Sequence, residues 1–144
     1  MRMWIDLFES LDRSAPFEWT TDTWHASRAT FASGEHQYVV AFKHKDFLSD
    51  DRDLYACEFS SSDRRVDMIG GRDSFTILAT VIKIIQEWIE RHQPDVLGFS
   101  AEGESRMSLY NRLVDTLVPR LGNYEVKKGQ GTVRCNFYLT KINS

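Results

Sequence analysis

The sequence predicts an α+β domain in which one mixed, mostly antiparallel sheet carries two main helices. Three observations lead there. Apolar runs of strand length, separated by turn residues, fill residues 17–65. A long helix over about Ser74–His92 repeats apolar residues at three- and four-residue steps: Phe75, Leu78, Val81, Ile82, Ile85, Trp88 and Ile89. A short strand, a second helix and a closing hairpin follow it. A strand–helix–strand crossover around the long helix forces a parallel pair and leaves the rest of the sheet antiparallel.

The opening segment Trp4–Leu11 has helical apolar spacing, and Ser14-Ala-Pro16 breaks it. His25–Phe31 and Gln37–Lys43 flank Ser33-Gly34-Glu35, a hairpin pattern. Tyr38–Phe42 is an almost continuous apolar run, which predicts a central strand covered on both faces. Leu54–Ser60 is the next strand, and Val66–Ile69 a short one ending at Gly70-Gly71. On the long helix Thr76, Thr80, Lys83, Glu87 and Glu90 mark the polar side, while Ile77 and Ile84 widen the apolar one. Asp73 or Ser74 is its N-cap, and Pro94 ends it. Asp95–Ser100 is a strand. The second helix starts near Glu104 or Ser105, buries Met107, Tyr110, Leu113, Val114 and Leu117, and is terminated by Pro119 and Gly122. Asn123–Lys128 and Thr132–Lys141, joined through Gly129-Gln-Gly131, form the last hairpin.

Bulk composition narrows the function. The 144 residues, 42% hydrophobic and 27% charged, suit a single domain spanning 1–144. A net charge of −3 argues against a nucleic-acid partner, which calls for a basic surface. Lys127, Lys128 and Arg134 make the one local basic patch and read as a solvated hairpin surface. The stretch Phe75–Ile89 is interrupted by Thr76, Thr80, Lys83, Gln86 and Glu87, so it is no membrane span, and the first residues lack the continuous apolar core of a signal peptide. The expectation is a cytoplasmic protein with no membrane partner. Cys57 and Cys135 lie in strands without metal-ligand spacing; buried thiols are expected, and a disulfide stays open if the two strands pair. His25, His36, His44 and His92 are scattered, so no metal is expected. Ser100, Ser105 and Ser108 lack a nucleophile elbow. Ser105 reads as an N-cap, with Arg106 either exposed or facing an anion or a partner at the helix start. Trp4, Trp19 and Trp24 default to core, with room for one exposed anchor.

Two features together resemble the GNAT acyltransferases: the order strand, glycine turn, long helix, strand, helix, strand, strand, and the segment DVLGFSAEGESRMSLYNRLVDTLVPRLGNYEV, with Leu109-Tyr110, Leu113 and then Leu121-Gly122-Asn123-Tyr124. The stretches GGRDSFTILATVI and SRMSLYNRL also resemble small uncharacterised bacteriophage proteins sometimes labelled acetyltransferases. The resemblance implies a GNAT-like topology in the C-terminal half and acetyl-CoA as cofactor. It implies Tyr110 as the acid that protonates the departing thiolate, and a diphosphate cradle at Gly70, Gly71 and Arg72. The general base is not marked by a motif; Glu58, on a candidate central strand, is a suitable carboxylate.

This sequence departs from the family's pattern at the cradle. Asp67-Met-Ile-Gly-Gly-Arg-Asp-Ser74 lacks the R/Q-x-x-G-x-G/A spacing, and Asp73 puts a negative charge where a diphosphate would sit. Arg72 offsets it in part; a tight turn at Gly70-Gly71 capped by Asp73 is the plainer reading. The expectation is therefore a GNAT-like scaffold without cofactor chemistry, phage-type, that binds another protein in host takeover or regulation. An acyl-CoA-dependent N-acetyltransferase is the alternative, and a virion structural or assembly component the second.

Overall fold

The structure, a computed structural model, describes residues 14–34, 36–45, 53–61, 74–102, 104–130 and 134–142; for 61, 74–75, 100–102, 104–110, 128–130 and 134–136 it describes the backbone alone. The expected helix Trp4–Leu11 and strand Val66–Ile69 lie outside the described residues. The described residues form seven strands and two helices: β1 Phe17–Asp22, β2 Ala26–Ser33, β3 His36–His44, β4 Leu54–Ser61, α1 Ser74–His92, β5 Val96–Glu102, α2 Glu104–Leu121, β6 Tyr124–Gln130 and β7 Arg134–Lys141. They form one seven-stranded sheet in the order β1-β2-β3-β4-β5-β7-β6. Every neighbouring pair is antiparallel except β4–β5. The fold is α+β, with a mixed, mostly antiparallel sheet and two helices, as the periodicities predict.

Local chemistry sets the corners. Gly34 at φ 64 takes the positive angle that a two-residue hairpin loop requires, between Ser33 and His36, which pair. Helix α1 ends on Gln93 at φ 48, whose side-chain amide donates to the carbonyls of Ile89 and Glu90 at 3.2 and 3.3 Å. Those carbonyls would otherwise be orphaned at the helix end, before Pro94 stops the chain from continuing. Pro119 lies inside the last turn of α2 rather than ending it; Gly122 at φ 74 is the stop. So close to the C-terminus proline removes only one ladder bond.

Alternation along the strands puts one face of the sheet against both helices. Ala29, Phe31, Tyr38, Val40, Phe42, Tyr55, Cys57, Phe59, Leu97, Phe99, Phe137 and Leu139 are buried on that face, against Ile77, Leu78, Val81, Ile82, Ile85, Trp88 and Ile89 of α1 and Leu113, Val114 and Leu117 of α2. The crossovers β4–α1–β5 and β5–α2–β6 advance across the sheet in the same direction, so the right-handed rule places both helices on one side. Among the described residues no helix covers the other face, which corrects the expectation for Tyr38–Phe42. Val39 and Ala41 point to the open side and are only half-buried.

Two further expectations change. Thr80 belongs to the buried side of α1: it is fully enclosed, donates to the Thr76 carbonyl at 2.6 Å, and accepts from the Ala15 amide at 2.8 Å. Ala15 thus lies over α1 at a position that the helical wheel assigned to solvent. A disulfide is ruled out, because β5 runs between β4 and β7. Two strand spacings, about 9.5 Å, exceed the roughly 7 Å over which two cysteine Cα atoms can be bridged. Cys57 is a buried free thiol.

Helix α1 is tied to β1 by a polar cluster. Asp22 accepts from His92 at 2.8 Å and from Ser27 at 2.9 Å, and pairs with Arg91 at 2.9 Å. Arg91 also lies over the Trp19 ring at 4.4 Å, and Trp19 Nε1 donates to Glu87 at 3.0 Å. Burial alone would push the Asp22 carboxyl up; the hydrogen bonds from His92 and Ser27, with the charges of Arg91 and His92, outweigh it and hold it below its ordinary value. A carboxylate lowered in the folded state stabilises above its unfolded pKa, near 3.9, and that contribution disappears as pH falls through the folded value. Asp22→Asn is expected to cost roughly 1 kcal/mol or less at neutral pH. Paired thermal melts should show the gap between the two proteins closing below about pH 4.

Candidate functional site

The parallel ladder among the described strands is short. β4 and β5 pair from Leu54 with Val96 to Cys57 with Phe99. Beyond that row β4 stays bonded to β3 as far as Ser61, and β5 to β7 as far as Glu102. Each strand therefore keeps its outer partner and gives up its inner one, which leaves a gap in the pairing at the C-terminal ends of the parallel pair. Parallel pairing is the weaker kind per residue, so it is where sheet twist separates strands most cheaply. The backbone groups of Glu58–Ser61 that face away from β3 have no described strand beside them, which suits an extended polar ligand. The C-terminal end of parallel strands is also where open sheets bind ligands.

Glu58 stands at the mouth of this gap. It is the first β4 residue beyond the last β4–β5 pair, lies opposite Ala41 on β3, and is exposed on the open face. Beside it a cavity of about 160 Å³ is lined by Ala56, Glu58, Gly98, Phe99 and Tyr138. Gly98 pairs with Tyr138, and a Cβ on Gly98 would meet the Tyr138 ring at 3.3 Å. Glycine there lets the ring lean across the strand. Tyr138 and Gly98 were not singled out from the sequence. The signals were present: a glycine between Leu97 and Phe99 in a strand marks close approach, and Tyr138 alternates against the buried Phe137 and Leu139.

The other expected site residues fall at the same end of the sheet or outside the described residues. Helix α2 begins two residues after β5 ends, so Arg106 in its first turn and Tyr110 in its second belong to backbone at the gap end. Gly70, Gly71 and Arg72 lie outside the described residues, in the segment between β4 and α1. Cys57, on the core side of β4, has its thiol pushed far up by burial and by the Glu58 charge, and is no nucleophile.

The histidines gather at the opposite end. His44 bonds Asp53 at 3.2 Å, His92 bonds Asp22, and the Trp24 ring contacts both His25 and His44, at 5.0 and 5.6 Å. His36 sits at the far end of β3. Among the described residues there is no group of three His, Cys, Asp or Glu side chains that could hold a metal ion. Nor is any helix among them long and apolar enough to cross a membrane.

No family model and no curated protein matches the chain. Two of the solved structures similar to it are described as acetyltransferases. One is RimL, the ribosomal L7/L12 α-N-protein acetyltransferase in complex with coenzyme A, at a TM-score of 0.46 and 10% identity, covering 82% of this chain and 63% of that one. The other is a probable acetyltransferase, at a TM-score of 0.43 and 12% identity, covering 81% and 62%. The chain thus spans less than two thirds of the length of either.

Proposed function

We propose that this chain binds an acyl-coenzyme A in the gap between β4 and β5 and transfers the acyl group to an amine, with Glu58 as the base. The observation that carries the reading is the early end of the β4–β5 ladder, with a carboxylate at its mouth. Two features among the described residues suit such a donor, while Gly70, Gly71 and Arg72, with the opposing charge of Asp73, lie outside them. The free edge of Glu58–Ser61 offers strand-like hydrogen bonds to an amide-bearing arm. The starts of α1 and α2 lie at the same end, where helix dipoles favour a diphosphate. Acyl-coenzyme A supplies an activated thioester carbonyl when bound. The acceptor nitrogen forms the new C–N bond as the C–S bond breaks. Glu58 would take the proton the nitrogen loses, and Tyr110 would give one to the departing sulfur, the role the family resemblance implies.

A calorimetric titration of the protein with acetyl-CoA tests this. Micromolar binding is expected, with a stabilisation of about 2.7 kcal/mol at roughly one hundred times Kd. No heat and no shift in Tm up to millimolar ligand would overturn it. Gly98→Val is expected to weaken acetyl-CoA binding about tenfold or more, because the added methyl groups push Tyr138 toward the gap. Circular dichroism should show the fold unchanged.

The second reading is a scaffold that captures another protein without transfer, and Trp24 favours it. The ring is 69% exposed on the β1–β2 turn, braced by His25 and His44. Exposed, preorganised tryptophan is a common interface anchor. A null acetyl-CoA titration would leave this reading standing.

A further inference from the structure

Next to Glu58, on the same open face, lies a groove that the transfer reading leaves unassigned. We infer that it holds the acceptor, and that the acceptor is a small amine carrying its own carboxylate or phosphate. The inference rests on the proposed transfer for the word acceptor, and on the groove alone for the anion.

The groove has a volume of about 410 Å³, within the range of small-molecule sites. Ala26, Ala41 and Ala56 line it. They sit on adjacent strands with Lys43 between Ala26 and Ala56, and Ala41 between Arg28 and Glu58. Alanine on three neighbouring strands leaves a shallow floor where larger side chains would have filled the space.

Three cations stand on this floor: Arg28, Lys43 and Lys45, all exposed. Arg28 and Lys43 are diagonal neighbours across β2–β3, about 7–8 Å apart at that register. None of the three makes an ion pair with a described residue, and neither does Glu58, although the ion pairs at Asp22 and Asp53 show that carboxylates are engaged nearby. Like charges held close on a sheet repel. In a chain of net charge −3, three cations against the single carboxylate of Glu58 among the groove's lining residues are a local reversal of sign, and it favours an anion from outside.

The placement also gives direction. The β4–β5 gap opens past Cys57, toward the ends of the parallel strands, while the groove runs the other way, from Glu58 toward Lys43 and Lys45 at the start of β4. Donor and acceptor would enter from opposite ends and meet at Glu58. The anionic part would rest on Arg28 and Lys43, with the amine turned to the carboxylate. Glu58 disfavours a second negative charge beside it and favours the ammonium, so the ligand has one orientation.

The test titrates L-glutamate and O-phosphoethanolamine separately into the whole chain without acetyl-CoA, with spermidine as the cationic control, at two salt concentrations. Saturable binding of one or both anionic amines is expected, weakening as salt rises, and the stronger of the two identifies the carboxylate or the phosphate as the group read. Arg28→Ala with Lys43→Ala should weaken it about tenfold or more. Both side chains are exposed, so the double variant should keep its Tm. Absence of saturable binding at millimolar concentration, equal binding by the double variant, or stronger binding of spermidine would each overturn the inference. The separate acetyl-CoA titration keeps the two readings apart. Anion binding without acetyl-CoA binding upholds the groove and removes the transfer. Acetyl-CoA binding without anion binding removes the acceptor class alone.

Discussion

Trp88→Ala is expected to destabilise the protein by about 3–5 kcal/mol, the usual range for emptying a buried aromatic site. Trp88 is 1% exposed, stacked on Phe42 at 4.3 Å and on His92 at 4.8 Å, and set edge-on to Tyr55 at 5.0 Å. Through these rings it fastens α1 to β3 and β4. Domains of this size hold about 5–15 kcal/mol in total, so the variant should melt roughly 10–20 °C lower.

Trp88→Phe discriminates the causes. The indole Nε1 is buried with no hydrogen-bond partner among the described residues, a cost of about 1–3 kcal/mol. Phenylalanine removes that cost, keeps the stack on Phe42 and leaves a smaller void. Its loss should stay under about 2 kcal/mol. Equal losses for Phe and Ala would mean that the indole nitrogen, and not the packing, holds the site.

The helix carrying Trp88 was also the element most plainly written in the sequence. Seven apolar residues at helical steps required one buried stripe, and Ile77 and Ile84 required a second neighbour, which α2 provides. The hairpin at Gly34 and the crossover into a parallel pair were equally legible, because a positive φ and a right-handed connection are local matters. The errors arose where tertiary cover decides. Thr80 is polar, and nothing on its helix reveals that Ala15 will lie over it. Val39 and Ala41 are apolar, and nothing on their strand reveals that they will be only half-buried.

The site divides in the same way. Glu58 could be named as a carboxylate on a central strand, but its importance depends on where β5 parts from β4, a property of two strands and not of one. Arg28, Lys43 and Ala56 are far apart in sequence and carry no motif. Only the register Arg28–Ala41–Glu58 and Ala26–Lys43–Ala56 places them on one floor. Strand alternation gives the face, and the pairing gives the neighbours.

Glu58→Gln is accordingly the most informative change at the site. It keeps the size and polarity of the side chain and removes its capacity to take a proton. If Glu58 is the base, acetyl transfer should fall about 10²–10⁴-fold, the usual contribution of a positioned acid or base. Acetyl-CoA affinity should stay as it was, since the donor is held by the β4 edge and not by this carboxylate. Stability should change by no more than about 0.5 kcal/mol, because the residue is exposed and makes no ion pair with a described residue. Affinity of the adjoining groove for an anion without an amine, such as inorganic phosphate, should rise, since a like charge has been removed, while the anionic amines lose the partner of their ammonium. The combination is what identifies the role: a slower reaction, an unchanged donor, a tighter anion. A Glu58→Gln protein with undiminished turnover would move the base elsewhere. One with weakened acetyl-CoA binding would make Glu58 part of the donor site. The rise in anion affinity would still report the groove in either case, because it depends on charge at Glu58 and not on catalysis.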